Sequence, residues 1–250
     1  KGKGPLSFIG NLRVKGDFQV ASPVTLAAEL PAEGTITVPP RSSLGIRNGE
    51  TATGPLTHLL LEGGGLLLNA AAENSEASVT IGNLSGNAET SRVGTHATNG
   101  TVRFQITQSE DATFKGRIES HENHRMHLTK SGPGQLVVEG PVLLRSMQPE
   151  DGDLLINEGT LILNGQVTAA HVAVNSGASL GGRGTLAPTN RSETGQGVIV
   201  HSGGILRPGN PAGPEMNEKL RGLAALMRPW GAPGRMRWCG RRSRERRRPW

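Results

Sequence analysis

Between Leu128 and Gly213, short strings of alternating apolar and polar residues are interrupted by glycine at nearly the same place each time. They read LTKSGPGQLVVEG (128–140), LLINEGTLILNG (154–165), HVAVNSGASLGGRGTL (171–186) and VIVHSGGILRPGNPAG (198–213). In the last three, an apolar-x-apolar strand is followed by polar residues, a glycine turn and a second short strand. Period-two alternation puts Leu154, Ile156, Leu161 and Leu163 on one face, as it does Val172, Val174, Ala178 and Leu180, and then Val198, Val200 and Ile205. A unit this short cannot bury its apolar side alone, so its repetition implies stacking, each copy closing the core of its neighbour.

The arrangement that satisfies this is a parallel β-solenoid, with coils about 4.8 Å apart and inward Leu, Ile and Val forming ladders. Glycine belongs at corners that need φ > 0, and Asn157, Asn175 and Asn190 tolerate the same conformation. The cue extends weakly toward the N-terminus. Strands are expected at Phe18 and Val20, Val24 and Leu26, Thr35 to Val38, Leu44 and Ile46, Thr57 to Leu61, and Gly64 to Leu68, with prolines confined to strand ends and corners. Further on, Val79 leads into a glycine corner, and Val102, Phe104 and Ile106 share a face. If glycines 34, 64, 100, 134, 159, 177 and 203 begin corresponding strands, the spacing is uneven, as in coils with variable corner loops.

Two further strings give the repeat a family. LTKSGPGQLVVEG resembles the L-x-K-x-G-x-G-x-L string of the autotransporter-associated β-strand repeat, also called the passenger-associated transport repeat. Ala112-Thr-Phe-Lys-Gly-Arg-Ile resembles the T-F-x-G-x-I string that opens such repeats, and GTLILNG, NSGASLGGRGTL and LRPGNPAG are similar to the segments that follow. The likeness covers residues 112–213. It implies an all-β fold, a right-handed parallel β-helix, exported to or displayed on the bacterial surface, and it transfers no catalytic residue.

The organisation expected is therefore irregular solenoid coils over 1–111, the repeat region over 112–213, and a basic tail over 214–250. Four Phe, no Tyr and 36 Gly among 250 residues suit a core of thin aliphatic layers. The single Cys, at position 239, excludes an intramolecular disulfide and a cysteine zinc cluster. No apolar run approaches the roughly 20 residues of a membrane-spanning helix. No signal peptide opens the chain and no membrane-barrel pattern is visible, so any targeting segment or barrel is expected outside this sequence.

The net charge of +6 belongs to the tail. Residues 1–216 carry 16 Lys and Arg against 19 Asp and Glu, a balance of −3, and residues 217–250 carry 11 against 2, a balance of +9. In that tail the strand cues stop, all three Trp appear, and the text (GAPGRMRWCGRRSRERRRPW) has the composition of a shifted reading frame in a GC-rich gene. The other reading is a short basic helix over Glu215 to Arg228, with Leu220, Leu223 and Met227 on one side, followed by an anion-binding arginine cluster. Nothing upstream resembles a nucleic-acid module, and no nucleic-acid partner is expected.

Three patterns invite chemistry. His121, His124 and His127 would cluster on a helix and hold zinc or nickel, but here they precede the strand at Leu128 and read as solvated loop residues. Glu150, Asp151 and Asp153 offer the carboxylates that a glycosidase or a calcium site requires. They read instead as turn residues ahead of Leu154. Gly181-Gly-Arg-Gly-Thr-Leu has the glycines of a calcium-binding nonapeptide but no Asp. Neither a serine-nucleophile elbow nor a phosphate-cradling loop is present. No catalytic, cofactor or metal site is assigned, and no metal is expected to be needed for folding. The function expected is a structural or adhesive segment reaching surface glycans or other cells, linked to an outer-membrane translocator. The alternative is a polysaccharide lyase or hydrolase on the same fold.

Overall fold

The computed structural model describes residues 6–9, 14–15, 17–20, 23–27, 32–47, 51–52, 57–69, 75–95, 100–122, 124–145, 151–189 and 197–209. Among these there is no helix; every ladder between strands is parallel, and the chain is a β-solenoid. Its strands fall on three faces. The first carries nine: Leu6–Ile9, Val24–Ala27, Ser43–Arg47, Gly65–Asn69, Arg92–Thr95, Arg117–Glu119, Val142–Leu143, Gln166–Ala169 and Thr185–Pro188. The second carries seven: Thr51–Ala52, Ser75–Ile81, Gly100–Thr107, His124–Ser131, Leu154–Ile156, Val172–Val174 and Val198–Val200.

The third face begins with Val14–Lys15 and Phe18–Gln19, both against Ala32–Val38, and continues through Thr57–Leu61 and Asn83–Ser85. A parallel bridge between Gly86 and Phe114 joins it to Ala112–Phe114, Gln135–Val138, Thr160–Leu163, Ser179–Gly182 and Ile205–Pro208. From Gly100 onward each coil visits the second, third and first faces in turn. The sequence unit of two strands about a glycine is thus two sides of a triangle. Leu154 and Leu161 both point inward, but from different faces.

Register converts the alternation into ladders. On the second face Ile81, Ile106, Lys130, Ile156, Val174 and Val200 lie one above another. On the third, Leu136, Leu161, Leu180 and Leu206 do so, and on the first Val93, Ile118, Val142, Val167 and Leu186. Leu154, Ile156, Leu161, Leu163, Val172, Val174 and Leu180 are buried as expected. At about 1.5–3 kcal/mol for each Leu, Ile or Val side chain taken out of water, these ladders are the main source of stability.

Several expectations change. Ile205 is 41% exposed, because Leu180 sits in register with Leu206, and Ile205 falls on the outward phase of its strand. The first-face strands Val142–Leu143 and Gln166–Ala169 were not anticipated, since so few of their residues show the alternation. The strand read from Leu128 starts four residues earlier, at His124, so His124 and Met126 are buried ladder residues and not loop residues. Side chains of Val24 and Leu26, Asn190, Glu150 and the whole tail lie outside the described residues.

The glycines also sort differently. Gly159, Gly177 and Gly203 turn the corner into the third face with φ of 67°, 79° and 84°, and their counterpart one coil earlier is Gly132 at 77°, not Gly134. Gly100 opens a second-face strand and Gly34 lies in a third-face strand. A separate column, Gly116, Gly140, Gly165 and Gly184, leads into the first face. A Cβ on Gly140, Gly165 or Gly184 would run into the carbonyl of the glycine one coil below. Asn157 and Asn175 do not adopt φ > 0, and Arg41, at 64°, is the non-glycine residue that does among those described. The asparagines instead stack, Asn175 Nδ2 donating to Asn157 Oδ1 at 2.7 Å.

Candidate functional site

The region from His124 to Thr189 brings three polar arrangements together. The first lies inside the core. Lys130 occupies an inward ladder position between Ile106 and Ile156 and is 1% exposed. Its ammonium turns toward the corner, where Nζ donates to Gly132 O at 2.5 Å, Gly134 O at 2.6 Å and Glu158 O at 2.9 Å. At a corner the backbone leaves its ladder and buried carbonyls need other partners. Lys130 supplies them for two successive coils. Burial lowers its pKa to about 8 against the opposing pull of the Glu158 and Asp111 carboxylates. At the same corner one coil earlier, Gln108 satisfies the backbone in the same way. Its Oε1 accepts from Leu84 N at 3.0 Å, and its Nε2 donates to Glu110 O at 2.8 Å.

The second arrangement is on the outside of the second face. Outward positions alternate with the buried ones, and register puts Arg103 against His127. The pairing of Leu128, Leu154 and Val172 puts the residues before them, His127, Asp153 and His171, in one column. His127 Nδ1 is 3.1 Å from Asp153 Oδ2 and His171 Nδ1 is 2.9 Å from Oδ1, so one carboxylate is shared by imidazoles of the coils on either side. Burial pushes the Asp153 pKa up, but the hydrogen bonds and charge of His127 and His171 outweigh this and hold it below the usual carboxylate value.

The third arrangement is a surface groove of 480 Å³ lined by Arg145, Asp151, Gln166, Thr168, Ala187, Pro188 and Thr189. Thr189 Oγ1 donates to Asp151 Oδ2 at 2.5 Å. Asp151 and Asp153, one residue apart in sequence, therefore serve different surroundings. Gly152 between them is packed so closely that a Cβ would overlap the Met126 carbonyl.

Of the three histidines singled out in sequence, His124 is inward and buried, His127 joins Asp153, and His121 is held through its backbone N, which donates to Thr95 Oγ1 at 2.7 Å. They do not converge, since successive members of the spacing point to opposite sides of a strand. Among the described residues no three His, Cys, Asp or Glu are grouped to hold a metal. Sequence reading missed His171, Lys130, Arg145 and Thr189. Only for His171 was a signal available: it precedes Val172 as Asp153 precedes Leu154.

No family model, no curated protein and no solved structure matches the chain.

Proposed function

We propose that this chain is a β-helical passenger segment of a secreted or surface-displayed bacterial protein, giving length and a binding surface to a larger molecule that an outer-membrane translocator exports. The observation that carries the reading is the parallel stack whose corners are built from the strings that resemble the passenger repeat. Each coil presents a complete strand edge to the next, so the chain folds by addition of one coil to another as it emerges from a pore. Lys130, in the most characteristic of those strings, ties its own corner to Glu158 of the following coil, which suits such sequential locking.

The test is to place the chain between a secretion signal and a translocator barrel and ask whether it becomes accessible to protease on intact cells. Retention in the periplasm, where another passenger of equal length is displayed, would overturn the reading.

A polysaccharide-active enzyme is the second reading, and the observation in its favour is Asp153 flanked by His127 and His171, a carboxylate and imidazoles in hydrogen-bond reach on an open face. Glycoside hydrolysis asks in addition for a second carboxyl group across a cleft, about 5–10 Å away. Asp151 is turned toward Thr189 instead. We infer that the segment does not cleave glycans. Release of reducing or unsaturated ends that disappears in Asp153→Asn would reverse this.

A further inference from the structure

Among the described residues, Asn or Asp stands directly before glycine at Asp151–Gly152 and at Asn164–Gly165. In such a pair the side-chain carbonyl carbon and the next backbone nitrogen close a succinimide ring most readily, because glycine has no Cβ to shield its nitrogen. The fold treats the two pairs differently. Gly152 N donates to Leu144 O at 2.8 Å, and the Asp151 carboxylate is held by Thr189. Gly165 N makes no hydrogen bond among the described residues, although the segments beside it along the stack, 138–142 and 182–186, are described throughout. One coil on, the corresponding Gly184 N donates to Leu163 O at 2.9 Å. Asn164 and Gly165 are only half-buried, so water reaches them, and Asn164 Oδ1 accepts from Arg183 N at 3.3 Å.

We propose that Asn164 is a site of spontaneous deamidation in the folded chain. Gly165 N, its proton lost to solvent, attacks Asn164 Cγ. The N–Cγ bond forms as the carbonyl electron pair moves onto Oδ1, where the Arg183 N–H meets the developing charge. Collapse expels Nδ2, which takes up a proton and leaves as ammonia, and a succinimide remains. Water then adds to one of the two ring carbonyls and opens it to aspartate or isoaspartate. The balance is amide plus water to carboxylic acid plus ammonia, without oxidant or reductant. The aspartate form keeps an oxygen for Arg183 N and makes that contact charge-assisted. The isoaspartate form carries an extra backbone atom at the corner where Gly140, Gly165 and Gly184 stack with no room for a Cβ. The stack accommodates one product and is strained by the other, so this corner records the age of the chain. The inference is independent of the export and binding functions proposed above.

The test holds the full chain folded at mildly alkaline pH and, in parallel, unfolded in denaturant. Peptide mapping by mass spectrometry follows amide-to-acid conversion at Asn164 separately from Asn48 and Asn99, which also precede glycine. A Gly165 N–H engaged in the fold would first have to break its hydrogen bond, which slows the reaction about tenfold or more. The expected rate in the folded chain is therefore within about tenfold of that in denaturant, and above the rates at Asn157 and Asn175 in the same molecules. Amide hydrogen exchange is the second readout: the Gly165 N–H should exchange rapidly and the Gly152 N–H slowly. Chains enriched in isoaspartate should melt lower than fresh ones, and Asn164→Asp should melt no lower. A folded-state rate slowed by more than about tenfold, a Gly165 N–H as protected as that of Gly152, or conversion no faster than at Asn157 would overturn the proposal.

Discussion

The coil through Leu154, Leu161 and Val167 and the coil through Val198 and Leu206 are written with the same cue, apolar residues at alternate positions about a glycine corner. In the first, Leu154 and Ile156 are fully buried and Leu161 nearly so. In the second, Val198, Val200 and Leu206 are only half-buried against the core, and Ile205 is exposed. Strand composition does not account for the contrast, because Val198 and Val200 are as apolar as Val172 and Val174 beneath them. What differs is the neighbour. An inner coil is covered from both sides by described coils, whereas the last described coil is covered from one. Burial in a solenoid is a property of the stack, and the same substitution should therefore cost very different amounts at the two places.

The largest effect is expected at the glycine column of the inner coils. In Gly165→Ala the new Cβ would overlap the backbone of Gly140, and neither backbone can move without breaking ladders on both sides. A loss of about 4 kcal/mol or more is expected, read as a fall of many degrees in the melting temperature. Gly177→Ala is the control. It has an open position, though φ of 79°, and should lose only about 1 kcal/mol from backbone strain. Equal melting of the two variants would mean that coil spacing is looser than the ladders require.

Next comes Leu163→Asp, which puts an unpaired carboxylate at a site 3% exposed and in register with Val138. About 3–5 kcal/mol should be lost. Chemical denaturation measures it directly, and a change below about 1 kcal/mol would contradict burial.

The inner and outer coils also differ in how readily sequence disclosed them. Wherever two or three apolar residues alternated, as at Leu154 and Ile156 or Val102, Phe104 and Ile106, both strand and inward phase were legible, because the ladder position repeats with the pleat. On the first face the strands at Val24, Leu44 and Gly65 were legible in the same way, but Val142–Leu143 and Gln166–Ala169 were not, because they show one clear inward residue each, Val142 and Val167, and owe their strand conformation to the coils beneath. Phase failed at Ile205 for a related reason: Ile205 and Leu206 offer two equally apolar phases, and only Leu180 below decides between them. The polar sites were hidden more thoroughly. Asp153 and His171 are separated by one coil in sequence and become neighbours through a register that the spacing between glycines does not reveal, the one cue being that each stands just before the first apolar residue of its strand, Leu154 or Val172. Lys130 stands inside a recognisable string, yet nothing in the string says that a lysine between two isoleucines turns its ammonium to a corner.

Lys130→Met separates those possibilities. Methionine fits the aliphatic column but leaves the carbonyls of Gly132, Gly134 and Glu158 without their donor, so about 2–3 kcal/mol should be lost near neutral pH. The pH dependence has a definite sign. The folded pKa lies near 8 and the ordinary value at 10.5, so between these the unfolded chain holds a proton that the fold has released, and stability rises with pH. Wild type should gain on Lys130→Met as pH climbs from about 8 to about 10.5, and the difference should be flat below that window. A difference that shrinks over the same range would contradict a lowered pKa.

Asp153→Asn is expected to cost about 0.5–1 kcal/mol at pH 7, since the carboxylate and its histidines are partly solvated. Because the folded pKa of Asp153 is held below 3.8, its contribution is full above that value and is lost as pH falls through the lower folded one. Acid titration of the two proteins should therefore show their stabilities converging on the acid side. A gap that persists undiminished would place the effect in packing and not in charge.

The smallest effect is expected at Ile205→Asp, and it is the most direct test of the contrast between coils. The change is as drastic as Leu163→Asp in chemical terms and lies on the same third face, two coils further along. Yet Ile205 is already 41% exposed and opposes Ser179, not an inward leucine. Its carboxylate would stay hydrated, so the stability should move by no more than about 0.5 kcal/mol. A neighbouring substitution fixes the phase: Leu206→Asp, one residue on, enters the column above Leu180 and should cost more than Ile205→Asp but less than Leu163→Asp, because Leu206 is only half-buried and, among the described residues, a coil covers it on one side. If Ile205→Asp proved as damaging as Leu163→Asp, the last coil would have to be enclosed as the inner ones are, and its outward isoleucine would have to be covered as well.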